Sequence, residues 1–200
     1  MSAYLSAANA ATVSSRVGQT LELGDGAIWC VCEKKRPFVQ MQGERVLVFV
    51  DPGVPPKSRR SDDDQGYLAN RATEWRRKWE SVPGASGSEH LIAAFESGAF
   101  KKLFEAGWVV LLITGEDAAD QKYNVAYSLL NCKEVKTLAD PDGEILALLG
   151  LDQSARWSLG NTLYHPRLVV TLDKGVLTNV WSDFDPKSQI PELVSSIADT

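Results

Sequence analysis

The chain has 200 residues, 44% hydrophobic and 24% charged, with a formal net charge of −5. That length is enough for one well-cored domain and hardly enough for two. The acidic balance argues against general nucleic-acid binding, which wants a basic face, and no apolar run approaches the roughly 20 residues that span a bilayer.

Residues 1–19 are rich in Ala and Ser and carry Arg16 but no acid. They read as a flexible or loosely docked arm ahead of one domain over 20–200. The same composition is compatible with a weak organelle-targeting segment, so cytoplasmic, mitochondrial and plastid settings all fit. Leu21 to Cys32 reads as two small strands around the turn Gly24-Asp25-Gly26. Val46-Leu47-Val48-Phe49-Val50 has the β-branched and aromatic run of a strand buried on both faces, and Asp51-Pro52-Gly53 stops it.

Residues 53–88 look like an insertion. Leu68, Ala72, Trp75 and Trp79 recur at helical spacing with Arg71, Glu74, Arg76, Arg77 and Lys78 between them, which predicts an amphipathic helix. Ser81 to Ser88 reads as a loop, and a second helix starts at Glu89 with the stripe Leu91, Phe95, Ala99 and Leu103. Trp108–Ile113 is a further buried strand, 117–130 a helix, Val135–Leu138 a short strand and Glu144–Leu149 a short helix. Leu168–Leu172 and Val176–Trp181 form a hairpin, and Ile190–Ile197 closes the chain as a helix. Alternating strands and helices with a final hairpin predict an α/β domain around a central mixed sheet.

The order is that of a thioredoxin-like fold, and the words within it resemble those of the peroxiredoxins. Gly43 to Pro52 is similar to the strand and proline that lead to that family's active-site loop. Lys101 to Thr114 is similar to the next helix and strand. Thr137 to Glu144 followed by Leu149-Gly150-Leu151, Gly160 to Gly175, and Trp181 to Phe184 continue in the family's order. The bacterioferritin-comigratory or Q-type branch is the nearest, over about residues 20–198. The resemblance implies a thioredoxin-like fold with a helical insertion after the strand 45–50, and it implies that Arg167 is the family's anion-binding arginine.

A peroxiredoxin attacks peroxide with a thiolate in the first turn of a helix, where the helix N-terminus and an arginine lower the thiol pKa. This chain has no Cys between Glu33 and Asn131. Counting from Pro52 puts the equivalent position near Lys57 to Arg60. Reading Val82-Pro83-Gly84-Ala85-Ser86 against the family's Thr-Pro-Gly-Cys-Thr puts it at Ala85, and counting back from Gly107 puts it at Ser88. The second cysteine of some Q-type members falls near Ala93. A serine hydroxyl is too weak an acid to stand in for a thiolate, and the nearest histidine in sequence is His90.

Cys30 and Cys32 form a C-x-C with Cα atoms about 6.5–7 Å apart on a strand, at the edge of disulfide reach. They read either as core residues or as a displaced redox pair, and Cys132 is the third redox candidate. The three cysteines and two histidines, His90 and His165, lack a zinc-site spacing. No dinucleotide or phosphate-loop fingerprint is present, so no cofactor is expected. Residues 57–80 hold seven basic and five acidic side chains. They form either a solvated helix face or a docking element with Trp75, Trp79, Arg76 and Arg77 as its anchors.

Two functional readings follow. The first is a peroxiredoxin-like protein without thiol peroxidase chemistry, serving as an interaction module, as a subunit with a protein partner or further copies of itself, or as a binder of a small ligand in the vacated pocket. The second is an atypical thiol oxidoreductase using Cys30, Cys32 or Cys132. A weaker third is a non-redox enzyme built on Arg167, His90 and Ser88.

Overall fold

The computed structural model describes residues 6–21, 29–30, 44–53, 77–82, 84–116, 121, 132, 134–159 and 162–198. Its helices are α1 (Ala7–Ser14), α2 (Ala85–Glu96), α3 (Lys101–Glu105), α4 (Glu144–Leu148) and α5 (Ile190–Ala198). Its strands are β1 (Trp29–Cys30), β2 (Arg45–Asp51), β3 (Trp108–Thr114), β4 (Val135–Ala139), β5 (Trp157–Leu159), β6 (Thr162–Tyr164), β7 (Leu168–Asp173) and β8 (Val176–Trp181). The main sheet runs β1-β4-β3-β2-β7-β8, and β5 and β6 form a separate two-stranded ribbon. Strands β2, β3 and β4 are parallel, while β7, β8 and β1 run against their neighbours. This is the expected mixed α/β architecture.

Strand alternation divides the core into two layers. Leu47 and Phe49 of β2 and Val110 and Leu112 of β3 face α2, α3 and α5, meeting Leu91, Phe95, Leu103, Leu193 and Ile197. Val46, Val48 and Val50 with Leu111 and Ile113 face the other way, onto α1 and α4 through Val13, Ile145 and Leu146. Both faces of β2 and β3 are therefore covered, which is why these strands read as continuous apolar runs rather than alternating ones. Phe49 stands edge-on to both Phe95 and Phe100, each at 5.5 Å between ring centroids.

Several local expectations change. The helix read from Glu89 starts four residues earlier, at Ala85, so residues 85–88, expected as loop, form its first turn. Its apolar stripe does not run unbroken to Leu103, because the chain turns at 97–100, with Gly98 at φ +76°, before α3 begins. The β5–β6 ribbon has no counterpart among the sequence-based expectations, since three-residue strands carry too short a pattern to register. Of Leu21 to Cys32, the described part is Leu21 and β1, which pairs with Leu138 and Ala139. The helix expected at 68–79 falls mostly outside the described residues, of which 77–80 are helical. The helix expected at 117–130 also lies outside them, except for Gln121.

Candidate functional site

The parallel strands β2, β3 and β4 end side by side, and their carboxyl ends deliver Asp51, Thr114 and Asp140 to one edge of the sheet. In parallel α/β sheets this edge is the usual place for a site. β7 runs the other way and starts there, so the residues just before it, His165 and Arg167, join the same edge. A polar row results, and it is buried: Asp51, Ser88, Thr114, Glu116, Asp140, Arg156, His165 and Arg167 all lie inside the protein.

The first cluster in this row holds Asp51, Ser88 and Arg167, each 1% exposed. Ser88 sits on the fourth residue of α2, whose N-cap is Gly84 in the left-handed conformation, with φ 85°. The Ser88 hydroxyl donates to Asp51 Oδ1 at 2.6 Å. Arg167 Nε donates to Asp51 Oδ2 at 2.8 Å, and Arg167 Nη2 donates to Ser88 Oγ at 2.9 Å. The Gly53 amide also donates to Asp51 Oδ1, at 2.8 Å. Gly87 is what lets the arginine lie against α2, because a Cβ there would overlap Arg167 Nη1.

This geometry limits the chemistry. The hydroxyl's single proton is engaged by Asp51, and the carboxylate is far too weak a base to generate an alkoxide at serine. The charge of Arg167 is met inside the protein by Asp51. The three groups close on one another, as buried polar groups must. His90 is exposed on α2, and the partners of Ser88 are Asp51 and Arg167 instead.

Ala85, the other first-turn position, is buried with Trp79, Val82 and Tyr164. Trp79 meets Tyr164 edge-to-face at 4.8 Å. Trp79, read as one anchor of a docking face, is only 3% exposed and is a packing residue here. Helical spacing alone does not say which face of a helix is inward. Arg77 is exposed. Trp75, Arg76 and the register at Lys57 to Arg60 lie outside the described residues.

The second cluster centres on His165. Its Nε2 lies 3.0 Å from Asp140 Oδ2, and Asp140 also accepts the amides of Glu144 at 2.7 Å and Ile145 at 3.1 Å, so it caps α4. The other ring nitrogen, Nδ1, faces Gly115, where a Cβ would stand 3.0 Å away. Burial pushes the His165 pKa below its usual value, opposed by Asp140 and reinforced by Arg156. Arg156 Nη2 donates to Leu163 O on β6 at 3.1 Å and to Gly115 O just after β3 at 3.4 Å, which ties the β5–β6 ribbon to this edge. Beside them Thr114 donates to Glu116 Oε2 at 3.3 Å and receives Gln121 Nε2 at 3.0 Å.

The cysteines lie elsewhere. Cys132 is 7% exposed within the α2–α5 core layer, and burial pushes its thiol pKa up. Cys30 lies on β1, at the sheet edge opposite β8, and pairs with Leu138. Cys32 lies outside the described residues. Asp51, the centre of the first cluster, was read from the sequence only as part of a strand stop. Only the folded register singles it out: Val50 pairs with Leu168, so the next step sets Asp51 opposite Arg167.

These elements make a thioredoxin-like fold, with a mixed central sheet flanked by helices. Solved peroxiredoxins superpose on nearly the whole chain. Reduced Prx3 from Vibrio vulnificus matches with TM-score 0.53 at 18% identity, covering 90% of this chain and 97% of that one. A Cys-to-Ser mutant of PrxQ from Xylella fastidiosa matches with TM-score 0.60 at 9% identity, covering 92% and 95%. The peroxidoxin BcpB from Mycobacterium tuberculosis matches with TM-score 0.54 at 15% identity, covering 91% and 97%. No family model matches the chain, and neither does any curated protein sequence. At these identities the likeness is one of fold.

Proposed function

We propose that this chain is a peroxiredoxin-like protein without thiol peroxidase chemistry, and that its scaffold serves as an interaction module or as a subunit with a protein partner or further copies of itself. One observation carries the reading. The helix start beside Arg167 offers Ala85 and a hydrogen-bonded Ser88, and no cysteine occurs between Glu33 and Asn131. Peroxide reduction needs a thiolate. The one thiol among the described side chains, Cys132, is buried and held protonated. Trp79, Val82 and Tyr164 pack around Ala85 and fill that space, which counts against a small ligand there.

The test is peroxide consumption by the reduced full chain with a dithiol donor. The reading expects no turnover above buffer. Turnover that disappears when Cys30, Cys32 or Cys132 is changed to Ser would establish the alternative, an atypical thiol oxidoreductase. The interaction role has its own test, native mass and partner recovery with residues 57–76 deleted. That deletion spares the core residue Trp79, and a species lost only in the deletion identifies the insertion as the docking element.

A further inference from the structure

We propose that residues 6–21 form an exchangeable strap, and that the surface beneath them docks the same segment of a second copy of this chain. Strand β8 is the outer strand of the sheet, and an outer strand presents unpaired amides and carbonyls that invite another strand. Proteins blunt such edges with charges, prolines or bulges. The β8 sequence Val176-Leu177-Thr178-Asn179-Val180-Trp181 has neither charge nor proline. It does have an irregularity: Leu172 pairs with Leu177 and Thr171 with Asn179, which leaves Thr178 as an extra residue. The bulge disturbs the edge beyond Leu177. The stretch before it is covered by the strap instead.

The cover is a single antiparallel bridge flanked by backbone hydrogen bonds. Gly18 N–H donates to Leu177 O at 2.8 Å, Leu177 N–H to Gln19 O at 3.1 Å, and Leu21 N–H to Gly175 O at 3.0 Å, with Thr20 bridged to Val176. Upstream, α1 buries Val13 in the layer that holds Ile145 and Leu146. Arg16 Nη1 donates to Leu148 O at 2.8 Å, at the end of α4. Gly150 makes room for it, since a Cβ there would stand 2.6 Å from Arg16 Nε. The β8 edge and the end of α4 thus form one surface shaped to residues 13–21.

The attachment is slight for its length. Val13 and Leu21 are the buried apolar side chains of the segment. At eight residues α1 is too short to hold itself as a helix away from the body. Few anchors over many ordered residues describe an element at the low end of local stability. The segment from a second copy remakes the same contacts, so exchange costs only the opening, as in domain swapping.

The test uses the whole chain with a protease site placed within residues 22–28, folded intact and then cut. A labelled peptide of residues 1–21 should replace the resident arm saturably after the cut. The peptide carrying Val13→Asp should not. Uncut chains concentrated together, warmed and cooled should contain an arm-exchanged dimer. An arm that stays put under excess peptide, or one that leaves without the peptide being taken up, overturns the strap. Monomer alone after warming overturns the second copy as occupant. Should the inserted site impair folding, hydrogen exchange on the unaltered chain decides: the amides of Gly18, Leu21 and Leu177 should exchange at least about tenfold faster than that of Val48, and equal protection contradicts the proposal.

Discussion

Asp51 and Arg167 stand opposite each other one step beyond the last paired residues of β2 and β7, Val50 and Leu168, and are joined by a 2.8 Å hydrogen bond. Both are buried, so the pair is a structural commitment: neither charge can be left alone without a large penalty.

Removing one partner should therefore be costly. Arg167→Ala leaves the Asp51 carboxylate without its cation and should destabilise the fold by about 3–5 kcal/mol, read from denaturant midpoints at constant slope. Replacing both, as in Asp51→Leu with Arg167→Met, should recover most of that loss. A loss below about 1 kcal/mol for Arg167→Ala would place the pair in a wetter setting than its burial indicates.

Gly87→Ala isolates the close approach of the guanidinium to α2. At an unconstrained helical site the change would stabilise by up to about 1 kcal/mol. Here the new methyl overlaps Arg167 Nη1, so the variant should melt lower than the parent, whereas Ser86→Ala at the exposed neighbouring position should not. A higher melting temperature for Gly87→Ala would show that the arginine can move aside freely.

His165 sets a pH dependence whose sign follows from burial. Its folded pKa lies below the usual value of about 6.5. The unfolded chain therefore binds the proton first, and stability falls as pH drops below about 6.5 toward the folded pKa, with a limiting slope near 1.4 kcal/mol per pH unit. Above that range this contribution is flat. Unfolding measured from pH 7.5 to 5 should show the decline, and His165→Asn should flatten it. A parent stability that rises on acidification would contradict the buried neutral imidazole.

Most of the fold was legible in the sequence because its signals were local. The apolar runs at Val46–Val50 and Trp108–Ile113 are what two-sided burial requires, and Asp173-Lys174-Gly175 marks the β7–β8 turn, where Lys174 adopts φ 49° and Gly175 φ 83°. The order of short motifs pointed to Arg167, Ala85 and Ser88 as positions to inspect, while the helical turn that holds Ala85 and Ser88 reads as loop in the sequence. Asp51 and Asp140 were not, since an aspartate after a strand looks like any strand stop until the register gives it a partner. Helical spacing leaves the face of Trp79 open, because the residue that buries it, Tyr164, lies 85 positions away and only the fold brings the two together.

The most direct measurement is mass spectrometry of the three cysteines after brief exposure of the reduced, folded chain to equimolar hydrogen peroxide with a sulfenic-acid trap. The account predicts that Cys132 stays unmodified in its apolar layer and that Cys30 and Cys32 show neither sulfenic acid nor a disulfide. Rapid, stoichiometric oxidation of any one of the three would contradict it.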